Sequence, residues 1–390
     1  MSEVKNLSAA VSLPTGFKIN EVSTLLHAKG LGGPAVTPAL GPLAAFTGNW
    51  VGSGFNTIFR PNSTATPTPL PFPVGGDNIL ELNLTAETMS FSAALGAVPN
   101  RGMVQGDIFL NGVPYLQAIN DVTIAGQSTG IHLEPGLWVI APATTNPAEG
   151  QTLTRMASIP HGTTINAQGT WIEISGAPVI PAVSITPNFN GGGPIVFPSQ
   201  TAANSETARI PQDLTSYIAA GTITQAMLDD PNTVLRNHIA GQTITHTTQI
   251  TVSTGPIAIT PPAPQFGGGI DNIAFLQGNA AASAPNAQSA KMTATFWIET
   301  VQHVLHIPIF TPGHPPLVLT PKPSVAGQHV PTFHVTPPAA ITTPRTIIVT
   351  SMQIQYSQTV NLNFNGLTWP HVSVATLVPA TALPVPGSVW

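Results

Sequence analysis

The chain has 390 residues, and only 7 % of them are Lys, Arg, Asp or Glu, against roughly 25 % in an average protein. A formal net charge of −5 with no basic cluster excludes a nucleic-acid-binding face. The absence of cysteine excludes disulfides, thiolate nucleophiles and Cys-based zinc or iron–sulfur sites.

The first residues, Met1 to Leu13, scatter charges among polar residues without an apolar core, so no secretory signal is expected there. No run of about 18 apolar residues offers a membrane span, and a cytoplasmic location is expected. The sequons at Asn62 and Asn83 carry no meaning in that compartment. The 41 prolines and 35 glycines punctuate short runs of Val, Ile, Leu, Phe and Thr, which is all-β patterning rather than helical.

In chain order, residues 1–40 read as a leader and 41–175 as a first set of strands. Leu80, Leu82 and Leu84 alternate with Glu81 and Asn83, the period-two pattern of a half-buried strand. Val104 to Ile119, broken by Asn111-Gly112, reads as a tight hairpin. Further strands are expected over Ile131–Ala141, Leu153–Ile159 and Ile165–Ile174. Residues 176–242 read as an insertion. It opens with a Pro-, Gly- and Asn-rich loop and continues in Pro211 to Ala240, which Pro231 splits into two short helices. Strands resume within 243–302, at Thr243–Ser253, Ile270–Leu276 and Lys291–Val301. Residues 303–345 form a Pro-rich insertion, and 346–380 close the fold with an alternating strand through Ile354–Phe364 and a final strand, Trp369 to Val378. The whole is expected to be one domain.

Three segments, in order, resemble the nitrobindin family. Pro38 to Gly54 ends in Gly48-Asn-Trp50-Val-Gly52-Ser-Gly54, similar to that family's G-x-W-x-G-x-G opening strand. His132-x-Glu134-x-Gly136-x-Trp138 resembles its H-x-E-x-G-x-W strand. His371-Val-Ser-Val-Ala375-Thr-Leu377 resembles its closing H-L-x-A-x-L, with Val372 in place of leucine. The resemblance covers about the first 175 residues and the last third. It implies an antiparallel up-and-down barrel of the lipocalin and fatty-acid-binding-protein kind, interrupted by two large insertions. It further implies haem b held through iron on a proximal His371, with Trp50, Ala375 and Leu377 at the cofactor. Such a protein reacts with nitric oxide, isomerises peroxynitrite, or runs peroxidase- or oxygenase-like chemistry on an apolar small molecule.

Several residues carry chemistry on their own account. On a strand, His371, Ser373, Ala375 and Leu377 share one face and Val372, Val374 and Thr376 the other. If the first face points inward, a neutral imidazole enters an apolar interior. The outward valines then need cover, from the insertions or from a second subunit in a homo-oligomer. His132 is the candidate catalytic residue on the pocket wall. His132, Glu134 and His161 are the alternative donor set for non-haem iron or manganese. A third reading is a carrier of an apolar ligand without chemistry. His303, His306, His314, His329 and His334 read as loop or surface histidines. Gly126-Gln-Ser-Thr-Gly130 fits G-x-S-x-G, but a strand follows it where a nucleophile elbow needs a helix.

Overall fold

Runs of Thr, Val, Ile and aromatic residues suit a pleated, half-buried surface. In the computed structural model they give ten long antiparallel strands. The structure describes residues 37–62, 76–100, 105–146, 148–159, 163–189, 192–255, 269–272 and 287–390. The strands are β1 (Gly48–Pro61), β2 (Asn78–Phe91), β3 (Ile108–Asp121), β4 (Thr129–Ala141) and β5 (Thr152–Ile159). They continue as β6 (Thr163–Ser175), β7 (Thr243–Ser253), β8 (Gln288–Ile307), β9 (Arg345–Phe364) and β10 (Leu367–Pro379). Each pairs with its neighbours in the chain, and β1 pairs with β10 from Trp50↔Pro379 to Thr57↔Val372. The sheet thus closes into an all-β up-and-down barrel, which removes the exposed edges of an open sheet.

Closure depends on small residues at the seam. A Cβ on Gly52 would lie 1.9 Å from the Thr376 carbonyl oxygen, and one on Gly54 2.1 Å from that of Val374. The glycines of the opening motif therefore let β1 and β10 approach.

Two expectations from the sequence are corrected. Asn111-Gly112 is no turn: β3 runs straight through it. The Asn111 side chain instead donates to Pro38 O and accepts from the amides of Gly96 and Gly112. The helical stretch holds three helices rather than two, α1 (Thr215–Ala220), α2 (Gln225–Asp229) and α3 (Thr233–Ile239). The added break is Gly221, left-handed at φ 70° as α1's C-cap. Residues 1–36 of the expected leader and 273–276 of the expected Ile270–Leu276 strand lie outside the described residues.

Three cores result. Inside the barrel, the 3-10 turn Gly41–Ala45 inserts Leu43 and Phe46 among Trp50, Phe91, Trp138 and Phe296. Phe46 stacks on Phe91 at 4.8 Å between ring centroids. A second core lies on the outer wall. There Phe55, Phe59, Leu80, Leu82, Val372 and Val374 pack under Ile180, Leu214, Ile223, Leu228 and Leu235 of the 176–242 segment. A third joins Leu305 and Ile307 of β8 and Ile347 and Val349 of β9 to Phe310, Phe333, Val335 and Ile341 of the Pro-rich segment.

The outer-wall core sets the direction of β2. Its leucines Leu80 and Leu82 face outward beneath the insertion, while Glu81 and Asn83 face the barrel interior.

Candidate functional site

Aromatic packing fills one half of the barrel and leaves the other hollow. The hollow is a cavity of about 470 Å³, within the span of small-molecule sites, roughly 300–1,000 Å³. Its apolar lining comes from Ile58, Ile119, Ile165, Met292, Val360 and Leu362 among others. Strand alternation brings polar side chains to it in two groups.

The first group lies on the β1–β2–β10 wall. Alternation on β10 sends His371 and Ser373 into the cavity and Ala375 and Leu377 into the packed interior below. His371 Nε2 lies 2.8 Å from Asn56 Oδ1, which also accepts from the Ser373 hydroxyl at 2.8 Å. Asn56 Nδ2 in turn donates to Asn83 Oδ1 at 2.9 Å. Because Asn56 presents its oxygen, the Nε2 of His371 carries the proton. At the rim, Arg60 pairs with Glu81 at 2.8 Å.

The second group forms the cavity floor. Glu134 is fully buried; Arg155 Nη2 reaches its Oε1 at 2.6 Å, Tyr115 donates to the same oxygen, and His132 Nε2 is 3.1 Å from Oε2. Burial by itself raises a carboxyl, but the Arg155 guanidinium and these hydrogen bonds outweigh it and bring Glu134 down to about 2. Arg155 is equally enclosed, with Phe296 5.3 Å and Trp138 5.8 Å from its guanidinium carbon and Gln358 Oε1 accepting at 2.6 Å. Beside this pair, Tyr356 Oη lies 2.6 Å from Glu87 Oε2 and receives Gln117 Nε2 at 3.0 Å. Thr85 donates to Glu87 Oε1 at 2.8 Å. Burial raises the Glu87 carboxyl above its ordinary value against the hydrogen bonds from Tyr356, Thr85 and Gln117. Two carboxyls, on β2 and β4 with β3 between them, are thus held in opposite states, one ionised against arginine and one pushed towards neutrality.

The expected site residues distribute as follows. His371 and His132 both line the cavity, on opposite polar groups. Trp50 is buried at the packed end, its indole N–H donating to Thr47 O at 2.9 Å. Glu134 is committed to Arg155, Tyr115 and His132, and His161 lies outside the described residues. Among the described residues no three His, Asp or Glu side chains gather into a metal-binding group. Of the later histidines, two depart from the surface reading. His303 is buried against Ser351 at 2.8 Å, and His329 stacks on His238 and contacts Ser53 at 2.7 Å. His306, His314 and His334 are exposed.

For haem, the donor chemistry offers imidazole nitrogen, from His371 and from His132, beside apolar residues such as Ile58, Val360 and Leu362. Ligation through Nε2 requires that nitrogen to give up its proton and leave Asn56. Arg60 also lines the cavity and is paired with Glu81.

Asn56, Glu87, Gln117, Arg155 and Tyr356 escaped the sequence reading. A signal for Arg155 existed: Leu153, Arg155 and Ala157 share one face of β5, a lone charge in an apolar row.

No protein-family model and no curated protein matches this chain. Among solved structures it is similar to the crystal structure of Rv2717c from M. tuberculosis, at 9 % identity and a TM-score of 0.31, over 89 % of this chain and 99 % of that one.

Proposed function

We propose that the barrel is a small-molecule-binding protein whose interior cavity takes haem b, with His371 as the axial ligand to iron. The observation that carries this reading is His371 itself, an inward imidazole on the closing strand that faces a cavity with Ile58, Val360 and Leu362 in its lining. His371 would hold the iron, Ile58, Val360 and Leu362 would pack the macrocycle, and Arg60 would meet a propionate. When bound, haem would supply nitric oxide binding or peroxynitrite isomerisation, the chemistry implied by the sequence resemblance. The chain's own part is to exclude water with its apolar walls, orient the imidazole, and place His132 as the second imidazole of the cavity.

Haemin titrated into the purified protein should give a Soret band at one equivalent. His371→Ala should change the ferrous carbon monoxide spectrum, and added imidazole should restore it in part. Asn56→Leu should tighten haem binding, because no hydrogen bond then competes for Nε2. Absence of a Soret band on reconstitution, or an unchanged axial spectrum in His371→Ala, rejects the assignment.

A second reading has its own support. The His371–Asn56–Ser373 hydrogen bonds are complete without a metal, as suits a carrier of an uncharged apolar ligand. Binding of such a ligand at the cavity with no Soret band in any preparation would favour it.

A further inference from the structure

Two carboxamides line the cavity, Gln358 from β9 and Gln117 from β3, and haem ligation uses neither. Their neighbours fix which end of each amide is spent. Gln358 Oε1 accepts from Arg155 Nη1 at 2.6 Å. A guanidinium only donates, so the oxygen faces Arg155 and the NH2 group is turned away from it. Among the described residues Gln358 Nε2 has no hydrogen-bond partner.

Gln117 is held the opposite way round. Its Nε2 donates to Tyr356 Oη at 3.0 Å and to Glu87 Oε2 at 3.3 Å, which uses both hydrogens of the amide. Its Oε1 has no partner among the described residues. Neither open atom is sealed away in the packed interior, and the surface that both side chains border is the cavity. On β9, Tyr356 and Gln358 are successive inward residues, and Gln117 bonds to the Tyr356 hydroxyl from across the barrel. One oriented donor and one oriented acceptor therefore flank the same ring.

This pair selects among head groups. A ketone satisfies the Gln358 donor and leaves the Gln117 oxygen without a hydrogen, at the cost of an unpaired polar group in a site with little water. A carboxylate sets a negative oxygen against the Gln117 oxygen, and Arg60, the arginine in the lining, is already paired with Glu81. A neutral carboxamide carries both a carbonyl oxygen for Gln358 and an N–H for Gln117. We propose that Gln358 and Gln117 form a subsite for the uncharged carboxamide head of an otherwise apolar ligand. Its apolar tail would rest on Ile119, Ile165 and Met292 of the same cavity. The amides are held in place before the ligand arrives, so little ordering is left to be done on binding. The proposal rests on the cavity accepting a small molecule, and on neither haem nor His371.

The test uses the full-length protein without added haem and three ligands with one tail, titrated by calorimetry. Octanamide both donates and accepts, nonan-2-one replaces its NH2 by a methyl group, and octanoate carries a charge. Octanamide should bind about tenfold more tightly than either of the others. With carbonyl-13C octanamide, the bound carbonyl signal should lie downfield of its position in an apolar solvent, as for a carbonyl that accepts a hydrogen bond. Gln358→Glu keeps an oxygen for Arg155 and sets a second oxygen where the NH2 group stood. It should weaken octanamide binding about tenfold and move the carbonyl signal back upfield. Thermal unfolding checks that the variant is intact, and if it does not fold the wild-type comparison decides alone. Nonan-2-one or octanoate bound as tightly as octanamide overturns the proposal and leaves the cavity a small-molecule site. So does octanamide binding unchanged in a folded Gln358→Glu. Binding of none of the three overturns it together with the small-molecule reading. A failed haemin titration alongside octanamide bound as expected removes the haem assignment and leaves this one standing.

Discussion

Arg209 shows how much one side chain holds in a chain so poor in charge. It is fully buried, and its guanidinium donates to the carbonyl oxygens of Ser199, Thr201, Ala202, Asn204, Pro211 and Gln212. One residue thus ties down the loop that precedes α1. Arg209→Met keeps the bulk but strips these oxygens of their donor. With a cost of about 1–3 kcal/mol per buried polar group left unsatisfied, a loss of roughly 3 kcal/mol or more is expected in urea unfolding. Glu299 acts in the other sense. It is fully buried, Oε2 accepts from Gln353 at 2.5 Å, Oε1 has no partner, and burial pushes the carboxyl up to about 8 from 4.5. Its folded value is raised, so its stabilising contribution is complete below pH 4.5 and is lost as pH rises towards 8. The slope within that window is roughly 1 kcal/mol per pH unit. Glu299→Gln does not titrate. Melting temperatures of variant and wild type should therefore diverge in the variant's favour between pH 5 and pH 8, and equal differences at both would contradict a neutral Glu299.

At the scale of elements, the seam between β1 and β10 is the most exacting contact. Gly54→Ala would drive a Cβ to 2.7 Å from the Ala375 methyl and 2.1 Å from the Val374 carbonyl oxygen. Backbone cannot yield as a flexible side chain can, so a destabilisation of about 2–3 kcal/mol is expected from such overpacking. Denaturant unfolding gives the number, and a companion change at Gly48, where a Cβ meets nothing within 4 Å, tests only its positive φ of 74°. The period of β9 was legible in the sequence because Ile354, Tyr356, Val360, Leu362 and Phe364 alternate there with Gln355, Ser357, Thr359, Asn361 and Asn363. β3 was misread because Asn-Gly is a strong hairpin signal locally. The signal lost because Asn111 found better partners across the fold, in Pro38 and Gly96.

For the whole molecule, the 176–242 segment serves as part of the barrel wall. It covers Phe55, Phe59, Leu82, Val372 and Val374, residues that a bare barrel would expose. Replacing residues 177–241 by a short Gly-Ser linker should leave a protein that binds a hydrophobic dye such as ANS and aggregates. A soluble monomer with unchanged melting would show the cover to be dispensable. Composition and period two alone determined that this chain is all-β, and the motif around Trp50 and the one around His371 pointed to strands that do adjoin. The two faces of each strand were also legible, Leu80 and Leu82 against Glu81 and Asn83. Which face is inside was decided only by the tertiary structure. With the outer wall buried as deeply as the interior, hydrophobic alternation loses its usual sense of direction. The site was hidden for a related reason. Asn56 meets His371 across 315 residues of chain, and Glu87 meets Tyr356 across 269. No local spacing records such pairs, because barrel closure, and not the sequence near either residue, brings them within a hydrogen bond.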